Sequence, residues 1–372
     1  MNRSPLFIVV LVVLLALCTG TSRGDEDAAI DKLIKKLPPP EKLVKPIRRA
    51  VQANDPAIGD PLVTEIAAAA AVNNLERCLN LSRKLTQHYP QSPGAQILRG
   101  FFAIDAKQYA EAGAAFHSAI GTQPKASLAY FGLALVEGRQ DHYGAAIPQL
   151  QHAATIEPDA GVVYYALSDC YLHTGQKQQA VEAGKKATAL EAKNPYFWIQ
   201  LARAEKSLGH GDATLQAMVH GAEAAPDSGD LFAAIGFSYI NLDRVPQAVP
   251  PLRRAAQLLP HDFLVQAQLG FCLQATGQID NGIGYLRKGA SLNPNYGPVW
   301  EHLGLAYQKK GNHREAISAF ERATQLMPNS PRPWQHLADE YRLVGRAADA
   351  ERAAGHAQQV GGASARIAKR KS

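Results

Sequence analysis

Cysteine is scarce, four in 372 residues, too few for a disulfide framework. Long apolar runs are scarcer still: there is one, Leu6–Leu17, so the chain is not a polytopic membrane protein. No Walker loop, G-x-S-x-G, H-E-x-x-H or C-x-x-C occurs, and carboxylates fall singly rather than as acid/base pairs. The sequence therefore gives no sign of an enzyme, of a cofactor or of a metal site. Disorder is excluded by a composition 46% hydrophobic and 19% charged. The body also lacks a charge bias. Of the formal +6, residues 25–58 contribute seven basic and six acidic groups, and residues 59–364 contribute 26 and 27. Arg3 and Arg23 add two positive charges, and Arg366, Lys369, Arg370 and Lys371 add four. A nucleic-acid partner is not expected of a body with that balance.

Leu6–Leu17 is shorter than the ~20 residues a spanning helix needs. With Asn2-Arg3 before it and CTGTSRG after it, it reads as a secretory signal over residues 1–24. Ser22 and Gly24 suit a cut before Asp25; cuts after Gly20 or Ser22 are alternatives, as are an uncleaved anchor and lipidation at Cys18. No transmembrane segment is expected after its removal, and the destination is periplasmic or extracellular. Residues 25–58 form a helical, proline-interrupted lead-in, and residues 365–372 a basic tail.

Between these ends runs a lattice of period 34. Pro56, Pro90, Pro124, Pro158, Pro226, Pro260, Pro294 and Pro328 are spaced by multiples of it, and only Ala192 breaks the series. Repetition at this period is the first fact to interpret. Gly297–Ser330 carries Trp300, Leu303, Gly304, Tyr307, Gly311, Ala316, Phe320, Ala323 and Pro328. It resembles the tetratricopeptide repeat, W-x2-L-G-x2-Y…A-x3-F…P. The following repeat matches with Trp334, Leu337, Ala338, Tyr341, Gly345, Ala350 and Ala357. Nine repeats cover 59–364: a degenerate 59–92, then 93–126, 127–160, 161–194, 195–228, 229–262, 263–296, 297–330 and 331–364.

The resemblance implies an all-α, right-handed solenoid of helix-turn-helix repeats. Small residues such as Gly304 and Ala316 let backbones approach, Gly311 suits a turn with positive φ, and Pro328 ends the second helix. Pro148 and Pro250 are expected near the starts of second helices, and a bend is expected at Pro251. The last helix is expected to stop at Gly361-Gly362.

It also implies a groove lined by first helices that binds a protein segment. The candidate partner-binding residues are Phe101, Phe131, Leu135, Tyr165, Tyr196, Arg203, His302, Arg332, His336 and Arg342. Apolar anchors then fall toward residues 97–172 and polar or basic ones toward 301–342. His302 and His336 hold equal places in adjacent repeats; a polar groove lining is the plainer reading and a metal pair the sharper one. Cys78, Cys170 and Cys272 fall at packing positions and read as buried small hydrophobes.

Carboxylate-clamp co-chaperones of the family grip a terminal carboxylate with Lys and Asn. The matching places here hold Ile97, Phe131, Tyr165, Ile199, Phe101, Leu135, Asp169 and Arg203, so that activity is not expected. Members carrying a sugar-transfer domain have an asparagine ladder; here its places read Gly132, Ala166, Gln200, Ala234, Gln268, His302 and His336. A non-catalytic scaffold of the envelope or secretory compartment is the first reading. A binding protein for peptide or polysaccharide ligands in export or assembly is the alternative.

Overall fold

In the computed structural model, residues 55–57, 60–72 and 74–371 are described. The signal segment and nearly all of the lead-in lie outside them. The described residues form eighteen helices and no strand.

They alternate as first and second helices of hairpins. The first helices are α1 (Pro61–Ala71), α3 (Pro93–Asp105), α5 (Ser127–Arg139), α7 (Gly161–His173), α9 (Pro195–Ser207), α11 (Gly229–Asn241), α13 (Phe263–Ala275), α15 (Gly297–Lys309) and α17 (Pro331–Leu343). The second helices are α2 (Leu75–His88), α4 (Tyr109–Thr122), α6 (Tyr143–Ile156), α8 (Lys177–Leu190), α10 (Gly211–Ala224), α12 (Val245–Leu258), α14 (Ile279–Leu292), α16 (His313–Leu326) and α18 (Ala347–Lys371). From α3 onward each first helix begins 34 residues after the last, so the lattice in the sequence is the period of the helices.

Local chemistry sets the boundaries. Pro93, Pro195 and Pro331 occupy first-turn positions, where the missing N–H breaks no helical bond. The side chains of Asn74, Ser92, Asn194 and Asp262 accept from first-turn amides. Every described turn inside a hairpin passes through a residue with positive φ from Lys107 onward. Gly175, Gly209, Gly277, Gly311 and Gly345 hold that place, and Lys107, Asp141 and Asp243 hold it without being glycine.

Close approach explains the small residues. Phe116 of α4 wedges its ring against Gly100 of α3 and Gly132 of α5, where an added Cβ would overlap the ring. Phe320 does the same to Gly304, and Leu252 to Gly236. Trp198, Trp300 and Trp334 donate their indole N–H groups to the carbonyls of Ala192, Pro294 and Pro328, at 2.7, 2.9 and 3.2 Å. A carbonyl serves there with or without proline, so the substitution at Ala192 leaves this bond intact. Facing aromatics recur within hairpins: Tyr130 on His152 at 4.2 Å, Trp198 on His220 and Trp334 on His356, both at 4.7 Å. Lys186 stands over the Tyr164 ring in the matching place, 4.2 Å from its centre.

The chain divides into two compact units at Pro226 and Asp227. The first contains the described hairpins α1–α10, with Phe101, Phe102, Phe116, Phe131 and Phe197 at its core. The second contains α11–α18. Its core runs through Leu252, Leu269 and Leu273, then Leu286, Val299 and Leu303, then Phe320, Leu337 and Tyr341.

Two expectations need correction. Pro148 and Pro250 are not in first turns: α6 begins at Tyr143 and α12 at Val245, so both lie inside helices, as does Pro251, where a bend was expected. Both helices run on past them, at the loss of one backbone hydrogen bond per proline. The final helix does not stop at Gly361-Gly362; α18 continues to Lys371. Glycine weakens a helix by about 1 kcal/mol per residue but does not forbid it.

Candidate functional site

The candidate groove residues all lie on first helices. On α3 and α5 that face is shut. Phe101 is 2% exposed, Phe131 1% and Leu135 1%, with Ile97 and Ile104 equally buried. Phe101 meets Phe116 edge-on at 5.2 Å, and the buried Tyr165 of α7 stacks on Phe197 at 5.5 Å. These four candidates are therefore core residues, not an exposed apolar anchor. The residue types of core and groove are the same; packing alone separates them.

Polar groups are buried beside them. Asp169 of α7 has no exposed surface, and burial pushes its carboxyl above the usual range against the pull of Arg203 and His173. Arg203 Nη1 donates to Asp169 Oδ1 at 2.8 Å, and His173 Nε2 lies 3.8 Å from the same oxygen. His173 stacks flat on Tyr143 with ring centres 4.0 Å apart. At the end of α3, burial raises the Asp105 carboxyl to about 7, only partly opposed by the Arg139 guanidinium. Glu205 is buried against His210 at 2.7 Å and Lys185 at 3.3 Å. Of the expected residues on α9, Tyr196 and Arg203 remain half-exposed.

In the second unit, α15 and α17 bring Arg332, His336 and His302 together, while Arg342 lies nearly three turns further along α17. The buried Glu301 carboxylate takes Arg332 at 3.2 Å and lies 3.9 Å from His336 Nε2. His302 packs on Phe271 at 4.7 Å, and His336 stacks on Phe320 at 5.4 Å. Burial lowers His302 to about 4, helped by Arg332 and His336, so its imidazole is neutral at pH 7. Arg342 pairs with Asp339 at 2.5 Å. Glu340, fully buried, accepts from Gln308 at 2.7 Å and stands 2.9 Å from His313 Nδ1.

Sequence reasoning passed over Asp105, Glu205 and Glu340. A signal existed for one of them: Asp105 and Arg139 lie 34 residues apart, as do Asp169 and Arg203, so opposite charges occupy one place in adjacent repeats. Glu205 and Glu340 had no such mark. Cys78, Cys170 and Cys272 are buried free thiols, and burial pushes the latter two up to about 12. That environment suits packing and disfavours a thiolate nucleophile. Among the described residues no group of three or more His, Cys, Asp or Glu side chains converges as a metal site would, and no helix is long and apolar enough to cross a membrane.

The tetratricopeptide repeat family profile matches residues 297–330 and, separately, residues 162–194. Each match is one hairpin long, and the two fall in both compact units, in phase with the same lattice. The chain is a tetratricopeptide repeat protein. Its repeats are those of a protein–protein interaction scaffold. Solved structures similar to this repeat protein include two of MamA. One is 21% identical and covers 45% of this chain and 97% of its own, with a TM-score of 0.43. The other is 20% identical over 46% and 94%, with a TM-score of 0.44. YrrB, titled a TPR protein with an unusual peptide-binding site, is 20% identical over 58% and 94%, with a TM-score of 0.33. No curated protein matches the chain.

Proposed function

We propose that this protein is a non-catalytic scaffold of the cell envelope or secretory compartment, and that it holds an acidic segment of a partner protein on α15 and α17. One observation carries the reading. Arg332 and Arg342 present side chains 69% and 57% exposed on α17, with His336 beside Arg332 at the Glu301 carboxylate. The Arg332 fork is anchored on its inner side by the buried Glu301 and the Arg342 fork pairs with the exposed Asp339, and each keeps N–H donors for carboxylates. Tyr196 and Arg203 offer a smaller aromatic and basic pair on the first unit. The apolar N-terminal run supports export. The ligand-carrier alternative drew on an aromatic stretch, and that stretch is core, so the scaffold is preferred.

Cross-linked co-purification from the native host, quantified by mass spectrometry, tests this. The Arg332→Glu/Arg342→Glu chain is expected to lose at least about ten-fold of a partner that the parent retains, since each charge-assisted bond contributes about 1.5–3 kcal/mol. Retention of every partner at the parent level, with helix content unchanged, would sink the assignment.

A further inference from the structure

Cations recur at one place on the second helices. Lys186, His220, Arg254, Lys288, Arg322 and His356 are spaced by 34. Rings on the facing first helices account for several: Lys186 stands over Tyr164, and His220 and His356 pack on Trp198 and Trp334. Lys288 has no such reason, since the matching first-helix residue is Gln266. Arg253 and Arg287 add a second cation one residue earlier on α12 and α14. Arg287 and Lys288 are exposed, and Arg253 and Arg254 are half-buried. Acidic residues do not offset them. α12 has none, and α14 has Asp280 alone, which Lys310 takes. Asp227 reaches Arg254 at 3.3 Å, and no ion pair among the described residues holds Arg253, Arg287 or Lys288.

α12 adds acceptors to these donors. Pro250 and Pro251 have no N–H, so the carbonyls of Pro246 and Gln247 lose the donors that a helix supplies four residues on. Pro246, Gln247 and Pro250 are exposed, and carbonyls on the solvent side of a helix tilt outward. Pro246, Pro250 and Arg254 follow at intervals of four residues, so these acceptors and the guanidinium groups share one side of the helix. A peptide matches both: its backbone N–H groups suit the carbonyls, and its Asp and Glu side chains suit the forks. A bilayer matches less well, since of the large apolar side chains exposed among the described residues only Leu292 lies on α12 or α14. A nucleic-acid strand brings phosphates but no backbone N–H.

We propose that the exposed side of α12 and α14 is a second docking surface, for an extended acidic segment of a protein. Arg253, Arg254, Arg287 and Lys288 take its carboxylates, and the carbonyls of Pro246 and Gln247 take its amides. The surface belongs to second helices and is independent of the site on α15 and α17.

Fluorescence anisotropy of a labelled oligoglutamate peptide, kept extended at neutral pH by its own charge, is the test on the full chain. Binding is expected to persist in the Arg332→Glu/Arg342→Glu chain. Adding Arg287→Ser/Lys288→Ser, two exposed positions, should weaken it at least about ten-fold with helix content unchanged. Pro250→Ala/Pro251→Ala returns the helical N–H groups and should weaken it about three-fold with every cation in place. Loss of all binding in the Arg332→Glu/Arg342→Glu chain overturns this surface and leaves the α15 and α17 site standing. Binding that survives Arg287→Ser/Lys288→Ser overturns it as well. Equal binding of oligothymidylate or of phosphatidylglycerol vesicles, with no effect of Pro250→Ala/Pro251→Ala, would reveal a patch for any polyanion and overturn the peptide assignment.

Discussion

Eight described turns occupy one place in the repeat, and three of them do without glycine. Lys107, Asp141 and Asp243 hold φ of 58°, 61° and 56°. The left-handed region crowds Cβ against the carbonyl and costs about 1–2 kcal/mol for an ordinary residue, less for Asp. Lys107→Gly is therefore expected to stabilise the first unit by about 1 kcal/mol, and Asp141→Gly by less. Denaturant midpoints with unchanged slopes would show it; a loss of stability in Lys107→Gly would contradict the strain. Asp105 carries a different burden. Its carboxyl titrates near 7 folded and near 3.8 unfolded. Between those values the native state binds more protons than the unfolded state, so stability falls as pH rises from about 4 to 7 and is level above. Asp105→Asn removes that slope. At 1.36 kcal/mol per unit, the parent is expected to lose on the order of 2–4 kcal/mol relative to the variant between pH 4 and 8. Parallel stability profiles would show that Asp105 is ionised without penalty.

Helices meet in this fold where a ring takes the place of a missing side chain. Gly132 exists because Phe116 of the preceding hairpin fills its Cβ space. Gly132→Ala should destabilise by about 1–3 kcal/mol through overpacking. In the Phe116→Leu background the same change should cost less, and the double-mutant cycle would give the coupling directly. An equal cost in both backgrounds would place the strain elsewhere. His336 holds the matching place beside Phe320 and stacks on the ring instead of yielding to it, so one position serves as a gap in one repeat and a lid in another. Helix number, type and period were legible because every repeat states them again in proline, glycine and alanine. The internal prolines and the run of α18 through Gly361-Gly362 were not, since the loss of one hydrogen bond or the presence of a flexible residue penalises a helix without ending it. The candidate residues differ in exposure. Tyr196, Arg203, Arg332, His336 and Arg342 stay accessible, whereas Phe101 and Phe131 do not. No residue type distinguishes a groove phenylalanine from a core one; only what covers the helix does.

A stack of repeats keeps its stability local, since each hairpin draws it from its own helices and its nearest neighbours. Two compact units, divided at Pro226 and Asp227 and each with its own core, are therefore expected to lose structure separately. Tryptophan placement makes this readable without labels, because Trp198 lies in the first unit and Trp300 and Trp334 in the second. Trp198→Phe leaves emission from the second unit alone, and Trp300→Phe/Trp334→Phe leaves emission from the first alone. Each substitution forfeits one indole-to-carbonyl bond, a net effect of about 1 kcal/mol, so the double variant loses two. Circular dichroism on all chains provides the common reference for that shift. The parent should show two dichroism steps, one coinciding with each fluorescence transition, and Lys107→Gly should move only the step reported by Trp198. A single cooperative transition at one midpoint by every probe would mean that the units fold as one, and that a stabilising turn in the first is felt throughout the chain.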